Sequence, residues 1–118
     1  MQVLFHIAER PIWQDALRSG EYRMSTRGVT LEEQGFIHCS LGHQLRGVAE
    51  FLYGDADADD LVVLVIDTAR LPGPVRFEAA VPGAGEHFPH IYGVLPTTAV
   101  TSVIPVSRDP EGRLILPE

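Results

Sequence analysis

A chain of 118 residues has the length of one domain, enough to bury a single core without disulfide or metal staples. Its 45 % hydrophobic and 21 % charged content is that of a folded globular protein, and a net charge of −7 argues against DNA or RNA binding through a broad basic surface. No apolar run reaches membrane-spanning length, the start of the chain lacks a basic segment followed by an apolar core, and the lone Cys39 has no internal partner, so a reducing cytoplasm is the expected compartment.

Lysine is absent and all nine cations are arginines, which excludes imine chemistry on a side-chain amine and leaves Arg or backbone N–H for any phosphate clamp. In chain order, Gln2 to Ile7 reads as a strand. Pro11 opens a helix with Trp13, Ala16 and Leu17 on its apolar stripe, and Gly20 stops it. Glu21 to Ser25 reads as extended, and Thr30-Leu31-Glu32-Glu33 has capping-box spacing for a single turn. Gly35 to Ser40 reads as a second strand, with Ser40 as N-cap of a helix carrying Leu41, Leu45, Val48, Ala49 and Leu52 and closed by Gly54. Asp55 to Asp60 is an acidic turn that lacks the Gly and Glu of a calcium loop.

Leu61 to Ile66 is apolar throughout, as in a central strand covered on both faces. A crossing over 67–74 leads to a strand over 75–81 and a loop over 82–86. Thr98 to Val106 is β-branched, and Asp109 to Gly112 turns it into a hairpin with Arg113 to Leu116. Helices early and an antiparallel sheet late make the fold class α+β, with residues 1–118 as a single domain.

Three strand-like motifs carry histidine: Phe5-His6-Ile7, Phe36-Ile37-His38-Cys39-Ser40 and Phe88-Pro89-His90-Ile91-Tyr92. Alternation puts Phe36, His38 and Ser40 on one side of the chain and Cys39 on the other, so Cys39 reads as a buried structural thiol rather than a partner of His38. If the His6 and His38 strands are neighbours, both neutral imidazoles project into one cleft and offer donors and acceptors to ribose hydroxyls or an amide-bearing ring. A hydrogen-bonded core position is the competing reading for each. His90 and Tyr92 share a face and add a stacking surface and a hydroxyl, while Glu78 is placed to stabilise positive charge on a sugar. His-x-His, paired Cys and HExxH spacings are absent, so no metal is expected.

These motifs, together with Trp13, Gly20-Glu21-Tyr22, Glu33-Gln34-Gly35, Gln44, Phe51-Leu52-Tyr53, Leu64-Val65-Ile66-Asp67, Phe77-Glu78, Gly93, Gly112-Arg113 and Leu116-Pro117, resemble the bacterial "domain of unknown function 952" family from about residue 3 to 117. The resemblance implies a distant relation to the ADP-ribosyltransferase fold, on the side of the RNA 2′-phosphotransferases: a small split β-sheet with two main helices in the N-terminal half and a cleft for NAD. It implies His6 at the adenosine-side ribose, His38 along the nicotinamide half, and Glu78 or the His90/Tyr92 segment at the third position. Ser40 joins the ligand-binding set, and Arg23 or Arg27 is the candidate for the pyrophosphate.

The expectation is therefore a cytoplasmic protein whose cleft binds NAD or an ADP-ribosyl compound, as a transferase or glycohydrolase. A non-catalytic module for a small nucleotide-type metabolite and a His-based metal-dependent hydrolase are the alternatives. No DNA, RNA or membrane partner is expected.

Overall fold

A computed structural model describes residues 2–79 and 85–117. The chain runs β1 (Val3–Glu9), α1 (Arg10–Ser19), β2 (Glu21–Tyr22), β3 (Met24–Thr26), β4 (Val29–Thr30), α2 (Leu31–Gln34), β5 (Ile37–His38), α3 (Leu45–Tyr53), β6 (Leu61–Asp67), β7 (Val75–Ala79), β8 (His87–Ile91), β9 (Leu95–Pro96), β10 (Val100–Pro105), β11 (Ser107–Arg108) and β12 (Leu114–Ile115). The architecture is α+β, built from small antiparallel sheets, with α1 and α3 both in the first half of the chain.

Two three-stranded sheets organise the rest. One has the order β1-β6-β10 and the other β5-β8-β7, all pairs antiparallel. They meet at one bridge, where Phe5 and Ser40 exchange backbone hydrogen bonds of 2.8 and 2.9 Å. β6 is central because every residue from Leu61 to Ile66 is apolar and can face a core on either side. Alternation then sorts β1: Leu4 and Ala8 pack with Trp13 and Ala16 of α1, whereas Ile7 packs with Leu45, Ala49 and Tyr53 of α3. The two helices thus cover opposite faces of one sheet.

Local signals fix the ends of elements. Pro11 stands in the first turn of α1, and Gly20 closes the helix in the left-handed region at φ 84°. The Thr30–Glu33 capping box forms in both directions. Asp109 Oδ1 accepts from the N–H groups of Glu111 and Arg113 and so shapes the turn between β11 and β12.

Two expectations are corrected, and a third is seen only in part. The second histidine strand is two residues long, pairing with β8 only at Ile37 and His38, and the chain then crosses to bridge β1 at Ser40. Ser40 caps no helix: its backbone is committed to Phe5, and a 3₁₀ turn over Gly42–Gln44 intervenes before α3. The strand expected over 75–81 is seen to Ala79, residues 80 and 81 lying outside the described residues, as do 82–84 of the loop after it.

Gly73 lies against the backbone of Tyr92, where a Cβ would run into the Tyr92 carbonyl oxygen. Gly47, inside α3, has open space around it. Urea unfolding of Gly73→Ala therefore shows a loss of about 2 kcal/mol or more, since backbone must shift. Gly47→Ala gains roughly 0.5–1 kcal/mol from helix propensity.

Candidate functional site

The sheet β5-β8-β7 presents two chemically different faces. Ile37 and Ile91 are opposite one another in the register, both fully buried, and belong to the core under α1. The alternate residues form the other face. His38 is opposite His90, His90 opposite Arg76, and Phe88 opposite Glu78. Phe36 and Tyr92 extend this face at the strand ends, and their rings lie 5.5 Å apart. The three-strand register thus gathers side chains that are far apart in the chain.

At its centre Glu78 Oε1 accepts two hydrogen bonds, one from the Tyr92 hydroxyl and one from His90 Nδ1 at 2.9 Å. The Tyr92 bond first, and the His90 bond second, hold the Glu78 carboxyl below its ordinary range, so the group is ionised at neutral pH. Its side chain remains 39 % exposed. His90 itself is buried, with its ring stacked on Phe36 at 3.9 Å between centroids. With Nδ1 committed to Glu78, His90 Nε2 is a buried atom with no hydrogen-bond partner among the described residues. The Arg76 guanidinium lies over the Tyr92 ring, 4.9 Å from its centroid.

Beside this cluster, His38 lines a cleft of about 320 Å³ between the sheet and α3. Phe88 forms the wall on the sheet side, and Val48, Phe51 and Leu52 form the wall on the helix side. Gln44 pins the corner: its Oε1 accepts from the Leu41 N–H, and its Nε2 donates to the His87 carbonyl at 2.8 Å. The His38 ring lies 5.4 Å from His90 and 5.1 Å from Phe88. Burial first, and the nearby His90 second, lower its pKa to about 4, so His38 enters any neutral-pH chemistry as an uncharged imidazole.

His6 is elsewhere. Its Nδ1–H donates to the His38 carbonyl at 2.7 Å, and its Nε2 accepts from the Tyr22 hydroxyl at 2.8 Å. This fixes the neutral tautomer, and burial pushes the His6 pKa down to about 4. With both ring nitrogens committed to the His38 carbonyl and the Tyr22 hydroxyl, His6 is not among the residues that line the cleft beside His38. The expectation of two histidines projecting into one open cleft is corrected accordingly. What they share is a void of about 10 Å³, also bordered by Ser25 and Ser40, with room for roughly one water molecule. Ser25 Oγ is buried there without a protein partner among the described residues.

Neither Arg23 nor Arg27, the alternatives expected at a pyrophosphate, is directed to this face. Arg23 is exposed and bridges Glu21 and Glu32 at 3.0 Å each. Arg27 pairs with Asp55 at 2.8 Å and with the Leu52 carbonyl. Arg76 is the cation on the Glu78 face, and its place two residues before Glu78 on one strand was the available signal. Phe51 carried a signal too: it is an apolar residue off the apolar stripe of its helix. Cys39 is buried in the core, which raises its thiol pKa, as the structural reading requires. Among the described residues no group of three or more His, Cys, Asp and Glu is disposed to hold a metal ion, and no helix is long and apolar enough to cross a membrane.

The family model described as "Protein of unknown function (DUF952)" matches residues 7–103. The chain is similar to the protein CC0527 of Caulobacter crescentus. Its crystal structure matches with a TM-score of 0.78 at 29 % identity, covering 98 % of this chain and 95 % of that one. A crystal structure of a double mutant of that protein matches with a TM-score of 0.78 at 28 % identity and the same coverage. Its solution NMR structure gives 0.74 at 28 %, covering 96 % and 91 %. No curated protein matches the chain.

His6 and His38 are neutral in the fold and ionise at about pH 6.5 in the unfolded chain. Their folded pKa values are lowered, so the stability tied to the neutral rings is complete above about pH 6.5 and drains away as pH falls toward 4. For His6 alone this is on the order of 3 kcal/mol. Urea unfolding of His6→Phe therefore shows a smaller pH dependence across that window than the parent chain. Near neutral pH it shows a loss of about 2–4 kcal/mol, because the Tyr22 hydroxyl and the His38 carbonyl lose their buried partner.

Proposed function

The chain belongs to the DUF952 family, and from that premise we propose that the cleft under His38 binds NAD or a related ADP-ribosyl compound and that Glu78 promotes cleavage of its glycosidic bond. The observation that carries this reading is the ionised Glu78 held by two donors on the same sheet face as the half-buried, neutral His38. A cleft of about 320 Å³ is at the small end of ligand sites and suits one ring and its ribose rather than a whole dinucleotide. The remainder of the ligand crosses the open face toward the Arg76 guanidinium, Arg23 and Arg27 being held in ion pairs of their own.

In this reading the bond between the pyridinium nitrogen and C1′ of the ribose breaks, and its electron pair neutralises the ring, which leaves as nicotinamide. Positive charge develops on the sugar. Glu78 has one oxygen tied by Tyr92 and His90 and cannot turn away, so its fixed negative charge stabilises that cation without reorganisation. Water adds to C1′ and releases a proton, giving hydrolysis; another nucleophile in the same place gives transfer. His38 hydrogen-bonds the ligand. His6 acts on this site as a positioning residue, through the backbone of β5 that carries His38.

Calorimetry with NAD and a nicotinamide-release assay test the two halves of the proposal. His38→Ala weakens NAD binding by about 1–3 kcal/mol through loss of a hydrogen bond in a partly dry site. Glu78→Gln lowers the release rate on the order of 100-fold or more and changes affinity little. Binding without release in the parent chain identifies a non-catalytic metabolite module, and no binding of NAD or ADP-ribose removes the proposal.

A further inference from the structure

The cleft carries an uneven set of charges and faces. Phe51 is 88 % exposed, the most exposed of the large apolar side chains among the described residues, and lines the cleft from α3 while Phe88 lines it from β8. A phenyl ring left so open forgoes the burial that most apolar side chains find. It also sits off the buried stripe of Leu45, Ala49 and Tyr53, so the core does not use it. Its free face is turned to solvent at the edge of a cavity that already contains a second phenyl ring and an imidazole.

Glu86 is the charged side chain among the residues lining this cleft. Its Oε2 lies 3.3 Å from Gln44 Nε2 and 3.9 Å from His43 Nε2, and the side chain is 57 % exposed. No arginine is among the described residues that line the cavity, and the chain has no lysine. The cleft therefore offers an anion no cationic partner, and it adds repulsion from Glu86 and from the negative faces of two aromatic rings. The same features attract a cation, through charge at the rim and through the ring quadrupoles inside. The net charge of −7 adds a long-range pull of the same sign.

We infer that this cleft recognises a small planar organic cation, an N-alkylated heteroaromatic ring, with Phe51 and Phe88 against its faces and the Glu86 carboxylate against its charge. The inference rests on the ligand site of the preceding section and specifies the charge of the group that enters it. Applied to a nicotinamide cofactor, it selects the oxidised pyridinium over the reduced, uncharged dihydropyridine. Phe51 and Glu86 become determinants of specificity distinct from the Glu78 cluster.

Three ring probes of nearly equal shape separate charge from shape: 1-methylnicotinamide (a cation), nicotinamide (neutral) and nicotinate (an anion), titrated into the full ¹⁵N-labelled chain and followed by chemical shifts. The expected order is cation, neutral, anion, with the first at least tenfold tighter than the second. Glu86→Gln brings the cation down to the affinity of the neutral ring and leaves the neutral ring unchanged. Phe51→Ala weakens the cation about tenfold and leaves the thermal unfolding midpoint unmoved, because the side chain is not part of the core. Equal affinities for cation and neutral ring, or a ratio that survives Glu86→Gln, overturn the inference; so does the absence of shifts at Phe51, Phe88 and Glu86 with any probe. Titrations with NAD⁺ and NADH complete the comparison. Dinucleotide binding without charge discrimination defeats this inference and leaves the preceding reading standing. Tight binding of 1-methylnicotinamide without binding of NAD⁺ does the reverse.

Discussion

The hydrogen bond from His6 Nδ1 to the His38 carbonyl spans the place where two sheets part company. β1 meets the chain just after β5 at the Phe5–Ser40 bridge, and the His6 imidazole joins β1 to β5 beside it. Its other nitrogen is taken by Tyr22, which packs with Trp13 of α1. One side chain therefore ties together the central sheet, the second sheet and the layer under the first helix. A charged ring in that position would carry an uncompensated proton into a dry core, which is why it stays neutral. The divergence it supports opens the space that α3 and the second sheet enclose as a cleft.

Given that split, the second sheet follows from alternation. β5, β8 and β7 each send small-to-medium apolar groups, such as Ile37, Ile91 and Val75, toward the core under α1. The intervening residues must then emerge on the other face, and here they are aromatic or ionisable: Phe36, His38, Phe88, His90, Tyr92, Arg76 and Glu78. Antiparallel register makes neighbours of residues separated by 12 to 14 positions, as in the bonds of Glu78 with His90 and Tyr92. His90 shows the cost of this arrangement, since its Nε2 is a buried acceptor that no donor reaches among the described residues.

Electrostatics divides the surface into committed and open parts. Arg23 and Arg27 are neutralised by nearby carboxylates, and those ion pairs fasten loops rather than ligands. On the cleft side the balance is different: Glu78 is fixed and ionised, Glu86 stands at the rim, and the histidine between the walls is uncharged. A site of that sign disposes the molecule toward positive charge in a ligand or a transition state. Both halves of the functional reading draw on this one property.

Much of the framework can be read directly from the chain, because it depends on neighbours in sequence. Pro11 and Gly20 bound the first helix, the Thr30–Glu33 box starts the short turn, and the unbroken apolar run from Leu61 marks the central strand. Alternation within each strand also separates His38 from Cys39 and groups His90 with Tyr92. What the chain alone leaves undecided is which strands face each other, in what register, and where two paired strands separate. Those choices set His38 opposite His90, drew Glu78 to both His90 and Tyr92, and turned His6 away from the cleft toward Tyr22. They also left Arg23 and Arg27 in ion pairs of their own, laid Arg76 over the Tyr92 ring and made Phe51 part of a wall. Pairing across distant segments is governed by the packing of two cores at once, and no local pattern encodes that balance.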